Sequence, residues 1–390
     1  MTVQRLRPHA STIFAEVSDA ARMHQAINLG QGFPDTEGPA SMLQVAADVI
    51  AAGGHNQYAP GRGVPELRNA VSRQIARDEG LIYDPDTEIL VTVGATEGIA
   101  ASLLGLVEPG SEVVVIEPYY DSYAACVDLA GARRRTVPLV PAGDTFVLDR
   151  DALAAACSDA TSAVIVNSPH NPTGAVLSDG DLEAIAAECR DHDIIAISDE
   201  VYEHLVFDGA RHRSIARFEG MRERTVRVSS AAKSLSCTGW KIGWITAPAE
   251  LIAGATAAKQ YLSFSSGTPL QLAVAHALEH EQAWIGELRA QLQAQRDQLR
   301  AALTGLGMGV SHCVGTYFLV ADARPLGYAD AAELCRRMPG EIGVAAVPFS
   351  PFIDAGSAAE WSHLTRFAFC KRPEVLGEAA ERLATLPIRG

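Results

Sequence analysis

An α/β fold with a mostly parallel central sheet in a large domain and a smaller α/β domain beside it is what this sequence predicts, on three observations. Short apolar runs recur between about residues 88 and 250 with helical stretches between them, an alternation that favours parallel strands covered by helices. At 390 residues the chain is too long for one ordinary core. From about residue 284 the texture changes to a long polar helix, AWIGELRAQLQAQRDQLRAAL, followed by a strand-like TYFLVAD and a mixed terminal region. That shift marks the second domain.

The strand candidates are, in order, EILVTV, EVVVIE, SAVIVN, IIAISDE, TVRVSS and IGWITA. The first ends at Val93, turns at Gly94 and leads into an alanine-rich helix near Ala95. Free backbone N–H groups and the positive end of the helix dipole would meet an anion there. Glu97 reads as a favourable acid in that helix's first turn. SAVIVN breaks off into NSPHNPTG, residues 167 to 174, whose prolines and glycine suit a tight strand-to-loop reversal. The next helix, SDGDLEAIAAECRDHD, has a cap at Ser178 and carries Leu182, Ile185, Ala186 and Cys189 on one face, as a crossover between two strands should.

Thirty-two basic against forty-seven acidic side chains give a net charge of −15, which repels nucleic acid and anionic membrane. Any anion it binds needs a local site. No run of eighteen apolar residues occurs, and MTVQRLRPHASTIF lacks a signal-peptide core, so a cytoplasmic protein is expected. Seven scattered cysteines without C-x-x-C spacing indicate buried thiols, and the eleven histidines form no H-E-x-x-H pair. No metal site is expected.

In open parallel sheets, ligands sit beyond the carboxyl ends of strands. Asn171 follows AVIVN, Asp199 ends IIAIS and Lys233 follows TVRVSS. Singly these read as a turn asparagine, a helix cap and a solvent lysine. Together, with the anion cradle after Val93, they meet the needs of pyridoxal 5′-phosphate. A lysine amine forms a Schiff base, a carboxylate keeps the pyridine nitrogen protonated, and backbone donors hold the phosphate.

At this point the chain resembles the fold-type I aminotransferases of class I/II. The motifs NLGQGFPD, NQYAPGRG, VTVGATEGIA, EPYYDSY, NSPHNPTG, SDEVYEHLVF, SSAAKSLSCTGWKIGW and RFAFCK stand in that family's order and span essentially the whole length. The resemblance implies that Lys233 bears the coenzyme and moves the proton, that Asp199 pairs with the pyridinium nitrogen, and that Tyr202 and Asn171 bond the ring's 3′ oxygen. It implies phosphate contacts from Ser230, Lys241 and the backbone at Ala95 and Thr96, with Tyr120 stacked on the ring. Arg366, together with Asn171 and the backbone of Gly32, would take the substrate α-carboxylate, and Tyr58 would reach the phosphate of a neighbouring subunit in a homodimer with shared active sites. Residues 1–45 would form an N-terminal arm and part of the small domain, 46–283 the large coenzyme-binding domain and 284–390 the small domain. In VGATEGIA a threonine and a glutamate replace the aromatic and glycine of many relatives.

The implied reaction is ping-pong transfer of an amino group between an L-amino acid and a 2-oxo acid. In overall wording the motifs are most similar to N-succinyldiaminopimelate aminotransferases of lysine biosynthesis, and next to kynurenine, glutamine, methionine and aromatic aminotransferases. A carbon–sulfur β-lyase and a non-catalytic coenzyme-binding module share the fold. A nicotinamide dehydrogenase is disfavoured because GRGVPE lacks the third glycine, contains Pro65 and follows no clear strand. Arg62, near Tyr58, is a candidate partner for the distal end of the substrate.

Overall fold

All six apolar runs form strands in the computed structural model, which describes residues 2–387. In chain order the strands are β1 (Ile27–Asn28), β2 (Ile89–Val93), β3 (Glu112–Glu117), β4 (Arg133–Ala142), β5 (Thr145–Leu148), β6 (Thr161–Asn167), β7 (Ile195–Asp199), β8 (Thr225–Ser230), β9 (Ile242–Thr246), β10 (Gly309–Val310), β11 (Phe318–Asp322), β12 (Val344–Ala345), β13 (Val347–Pro348) and β14 (Leu364–Ala368). They make an eight-stranded sheet of order β2-β9-β8-β7-β6-β3-β4-β5, a four-stranded sheet β10-β11-β14-β13 and the pair β1-β12.

In the large sheet β4, β3, β6, β7 and β8 run parallel, while β9 runs antiparallel to both its neighbours and β5 returns along β4 as a hairpin. The valines and isoleucines explain why this sheet needs cover on both faces. Along β3, Val113 and Val115 join a core with Leu103, Val127 and Ile252, whereas Val114 and Ile116 join another with Leu182 and Ile185. Side chains alternate between the faces of a strand, and each large apolar one buried contributes about 1.5–3 kcal/mol. The helices Gly94–Leu106, Asp121–Ala130 and Ala249–Lys259 cover the first face, and Asp179–Asp191 covers the second.

The crossover helix starts as its sequence indicated. Ser178 Oγ accepts from the Asp181 backbone N–H, and the Asp181 carboxylate answers at the Ser178 backbone N–H, a reciprocal capping box. Leu182, Ile185, Ala186 and Cys189 are all buried.

The long polar helix, Gln282–Gly305, is amphipathic. It buries Leu288, Leu292, Leu299 and Leu303 against the four-stranded sheet. Residues far apart in the chain complete that part of the fold, because β1 pairs in parallel with β12, Ile27 opposite Val344. All seven cysteines are buried and unpaired with one another. Among the described residues no helix is long and apolar enough to cross a membrane.

Candidate active site

Adjacent strands bring the site together. β6, β7 and β8 lie side by side with their carboxyl ends aligned, Asn167 opposite Asp199 and Asp199 opposite Val228. The segment after β6 folds back at once: His170 N–H bonds the Ala175 carbonyl, Gly174 takes φ +73°, and both X–Pro bonds in it are cis. Asn167 ties the turn to the next strand, since its Oδ1 accepts from Asn171 N–H at 2.8 Å and its Nδ2 donates to the Asp199 carbonyl at 3.0 Å. The polar, stiff octet thus fixes Asn171 against β7.

The reversed strand β9 delivers the anion cradle. Because β9 is antiparallel to β2, its first residue, Ile242, sits opposite Val93, the last residue of β2. Lys241, just before β9, thereby reaches the N-terminus of the helix Gly94–Leu106. A Cβ at Gly94, where φ is +71°, would lie 3.1 Å from Lys241 Nζ. A helix N-terminus beside an ammonium is a site for an anion.

Eleven of the twelve residues to which the resemblance gives a coenzyme or substrate role line one cavity of about 460 Å³: Gly32, Ala95, Thr96, Tyr120, Asn171, Asp199, Tyr202, Ser230, Lys233, Lys241 and Arg366. Tyr58 is elsewhere, 87% exposed and packed edge-on against Phe264. Arg62 does not line the cavity; its guanidinium donates to the Thr87 carbonyl at 2.6 Å. Glu97 accepts from Val93 N–H at 2.6 Å and so serves the start of its helix, as its first-turn position indicated.

Three ionisable groups in the cavity are held away from their ordinary titration. Burial raises the Asp199 carboxyl to about 6, although Tyr123 donates to its Oδ2 at 2.6 Å. Burial lowers the Lys233 amine to about 8 and the Arg366 guanidinium to about 10. Arg366 donates to Asn171 Oδ1 and to the Gly30 carbonyl, both at 2.8 Å, with its charge centre 3.9 Å from the centre of the Phe318 ring. Among the described residues its buried Nε has no hydrogen-bond partner. A desolvated cation with a spare donor is suited to a carboxylate, and a desolvated carboxylate to a cationic N–H.

Sequence reasoning missed Tyr123 and Tyr317. Tyr123 stands three residues after Tyr120, a spacing that puts two side chains on one helical face, and this was the available signal. Tyr317 accepts a hydrogen bond from Lys233 Nζ at 2.8 Å and donates to the Gly32 carbonyl at 2.6 Å; nothing in TYFLVAD pointed to it. The glycine is needed where it is, because a Cβ at position 32 would collide with the rings of Phe318 and Tyr317.

An anion cradle, an amine of lowered basicity, a desolvated carboxylate and a desolvated arginine in one cavity match a recognised group of enzymes. Residues 24–383 match the model of the family described as Aminotransferase class I and II. The chain belongs to the class I and II aminotransferases. Members of this family use pyridoxal phosphate, and the mostly parallel sheet with its helices is that of fold type I. This aminotransferase is 58% identical to a Mycobacterium tuberculosis protein described as a probable N-succinyldiaminopimelate aminotransferase, over 100% of this chain and 99% of that one. A methionine aminotransferase of Escherichia coli is 41% identical over 96% of each chain. The solved structure of N-succinyldiaminopimelate aminotransferase from Mycobacterium tuberculosis superposes with a TM-score of 0.96 at 58% identity, covering 98% of this aminotransferase and 99% of that chain.

Proposed function

We propose that this aminotransferase carries pyridoxal 5′-phosphate in the 460 Å³ cavity and transfers the amino group of N-succinyl-L,L-diaminopimelate to 2-oxoglutarate. The full-length 58% identity to the Mycobacterium tuberculosis protein carries the substrate assignment. The coenzyme's fit rests on the donor set: a cation and a helix N-terminus for its phosphate, a buried carboxylate for its ring nitrogen, an amine for its aldehyde. When bound, the coenzyme supplies that aldehyde and a ring that accepts the electron pair released at the substrate Cα.

The chain's own groups do the rest. Lys233 would hold the coenzyme through its aldehyde carbon and, once the substrate's amine had displaced it, would be a neutral amine able to take the Cα proton and return it to the carbon on the far side of the substrate nitrogen; a titration point near 8 keeps it usable as a base close to neutral pH. Asp199 keeps a proton on the facing ring nitrogen, and Tyr123 holds the carboxylate in line at 2.6 Å. Tyr202 and Asn171 would bond the ring's oxygen, Ser230, Lys241, Ala95 and Thr96 would hold the phosphate, and Tyr120 would stack on the ring; all line the same cavity. Arg366, backed by Asn171 and with a free Nε, binds the α-carboxylate as a planar fork, next to the Gly32 backbone.

The working unit proposed is a cytoplasmic homodimer. Tyr58 and Tyr261 are 87% and 86% exposed, and Leu262 and Phe264 stand out beside them. Lys259 holds the two loops together by donating to the carbonyls of Gly61 and Phe264. An exposed apolar cluster of this kind marks a protein interface, and Tyr58 would complete the neighbour's phosphate site.

A panel of amino donors with 2-oxoglutarate tests the substrate. The succinylated donor should give the highest kcat/KM with ping-pong kinetics. Methionine or kynurenine ahead of it would overturn the biosynthetic assignment and leave the transaminase; release of ammonia, pyruvate and a thiol from a cysteine conjugate would point to elimination.

A further inference from the structure

None of the roles above uses Tyr317. Its ring is fully buried just before β11 and stands edge-on to Tyr202, centroids 5.2 Å apart at 90°. For packing alone a phenylalanine would serve, and a buried hydroxyl without partners is costly. Besides its side-chain hydrogen bond with Tyr202, this hydroxyl has two partners from distant parts of the chain: it donates to the Gly32 carbonyl at 2.6 Å and accepts from Lys233 Nζ at 2.8 Å. A phenol carries a single proton. With that proton directed at Gly32, the oxygen can face Lys233 only as an acceptor.

That polarity has a chemical consequence. A neutral lysine amine has two N–H bonds and one lone pair, and only an N–H can be bonded to Tyr317. One N–H is fixed, rotation about the Cε–Nζ bond is restricted, and the lone pair stays outside the hydrogen bond. We propose that Tyr317 is a positioning residue for Lys233, holding the amine so that its lone pair is available to the cavity, and that the Gly32 carbonyl sets the phenol's direction. The inference rests on the reading of Lys233 as the coenzyme-bearing amine and base. It also joins three parts of the fold at one oxygen: the N-terminal segment, the turn after β8 and the start of β11.

Tyr317→Phe keeps the ring and removes the hydroxyl, both the acceptor for Lys233 and the donor to the Gly32 carbonyl. The measurement is the rate at which the full-length protein, stripped of coenzyme, recaptures added pyridoxal 5′-phosphate across roughly pH 6 to 10, alongside steady-state kinetics of the reloaded enzyme. An acceptor favours the charged amine, so the midpoint of recapture should move down by about half a pH unit or more. The kcat should fall roughly 10- to 100-fold through misorientation, with donor KM within about threefold of wild type. An unmoved midpoint, or a loss confined to KM and melting temperature, would show a packing role and overturn the proposal. If Tyr317→Phe does not fold, 3-fluorotyrosine at 317 preserves the shape while weakening the acceptor oxygen; it should shift the midpoint in the same direction by less, and no shift would count against the proposal. Recapture by Lys233→Ala equal to wild type would instead remove the reading of Lys233, and this inference with it.

Discussion

Burial disfavours the charged forms of both Asp199 and Lys233, so it moves their titrations in opposite directions. The Asp199 carboxyl titrates at about 6 in the fold, above its ordinary 3.8. Its contribution to stability is therefore complete below pH ~4 and is lost as pH rises through 6, a change of up to roughly 3 kcal/mol. Coenzyme-free protein should melt progressively lower between pH 4 and 7 relative to Asp199→Asn, whose neutral amide removes that slope; parallel melting profiles would contradict the burial argument. The same Asp199→Asn change, reloaded, should lose most transaminase activity, because an amide does not hold a proton on the ring nitrogen. Lys233→Ala should abolish both the coenzyme's visible absorbance band and turnover, while Lys241→Ala should weaken coenzyme binding and keep the band. Asp199, Asn171 and Lys233 were legible in the sequence because each follows a strand whose end is evident from its apolar run. Tyr123 and Tyr317 were not. Their partners lie 76 and 84 residues away, and only folding brings them together.

Among elements, the turn after β7 is anchored by a buried carboxylate. Glu200, next to Asp199, is 1% exposed, and its carboxylate accepts from Arg227 Nε and Nη2 at 2.9 and 2.6 Å and from the hydroxyls of Ser198 and Ser214. Its charge is held well below the usual carboxylate range, because the Arg227 guanidinium and His212 outweigh burial. Arg227→Met would leave that charge buried without its main partner, a loss of about 3–5 kcal/mol, readable as a lower urea midpoint. Ser178→Ala, which removes one cap, should cost about 1 kcal/mol. The cap was visible in the sequence because its partners are three residues apart. The Glu200–Arg227 pair joins neighbouring strand ends and has no local signature. The hairpin β4–β5 and the reversal of β9 escaped for the same reason: apolar runs identify strands, but their direction depends on the connections between them.

For the whole molecule, the exposed aromatics beside Tyr58 lead to a prediction about assembly. Sedimentation should show a dimer, and Tyr58→Ala should weaken coenzyme binding at each site; a fully active monomer would refute the shared site. The long helix Gln282–Gly305 and the strand Phe318–Asp322 after it were legible from the change of texture near residue 284. The pairing of β1 with β12 was not legible in the sequence, since two-residue strands leave no periodicity. The reversed strand β9 has a further consequence, in the timing of folding. The proposed phosphate cradle needs Gly94, just after β2, and Lys241, just before β9, with the two strands paired from Ile89–Thr246 to Val93–Ile242. Contacts so distant in sequence form slowly, because a long loop must close first. During synthesis the helix at Gly94 emerges early but cannot hold the coenzyme until β9 has emerged and slotted between β2 and β8. Coenzyme capture should thus come late, and its appearance in a refolding experiment should track closure of the large sheet rather than formation of its helices.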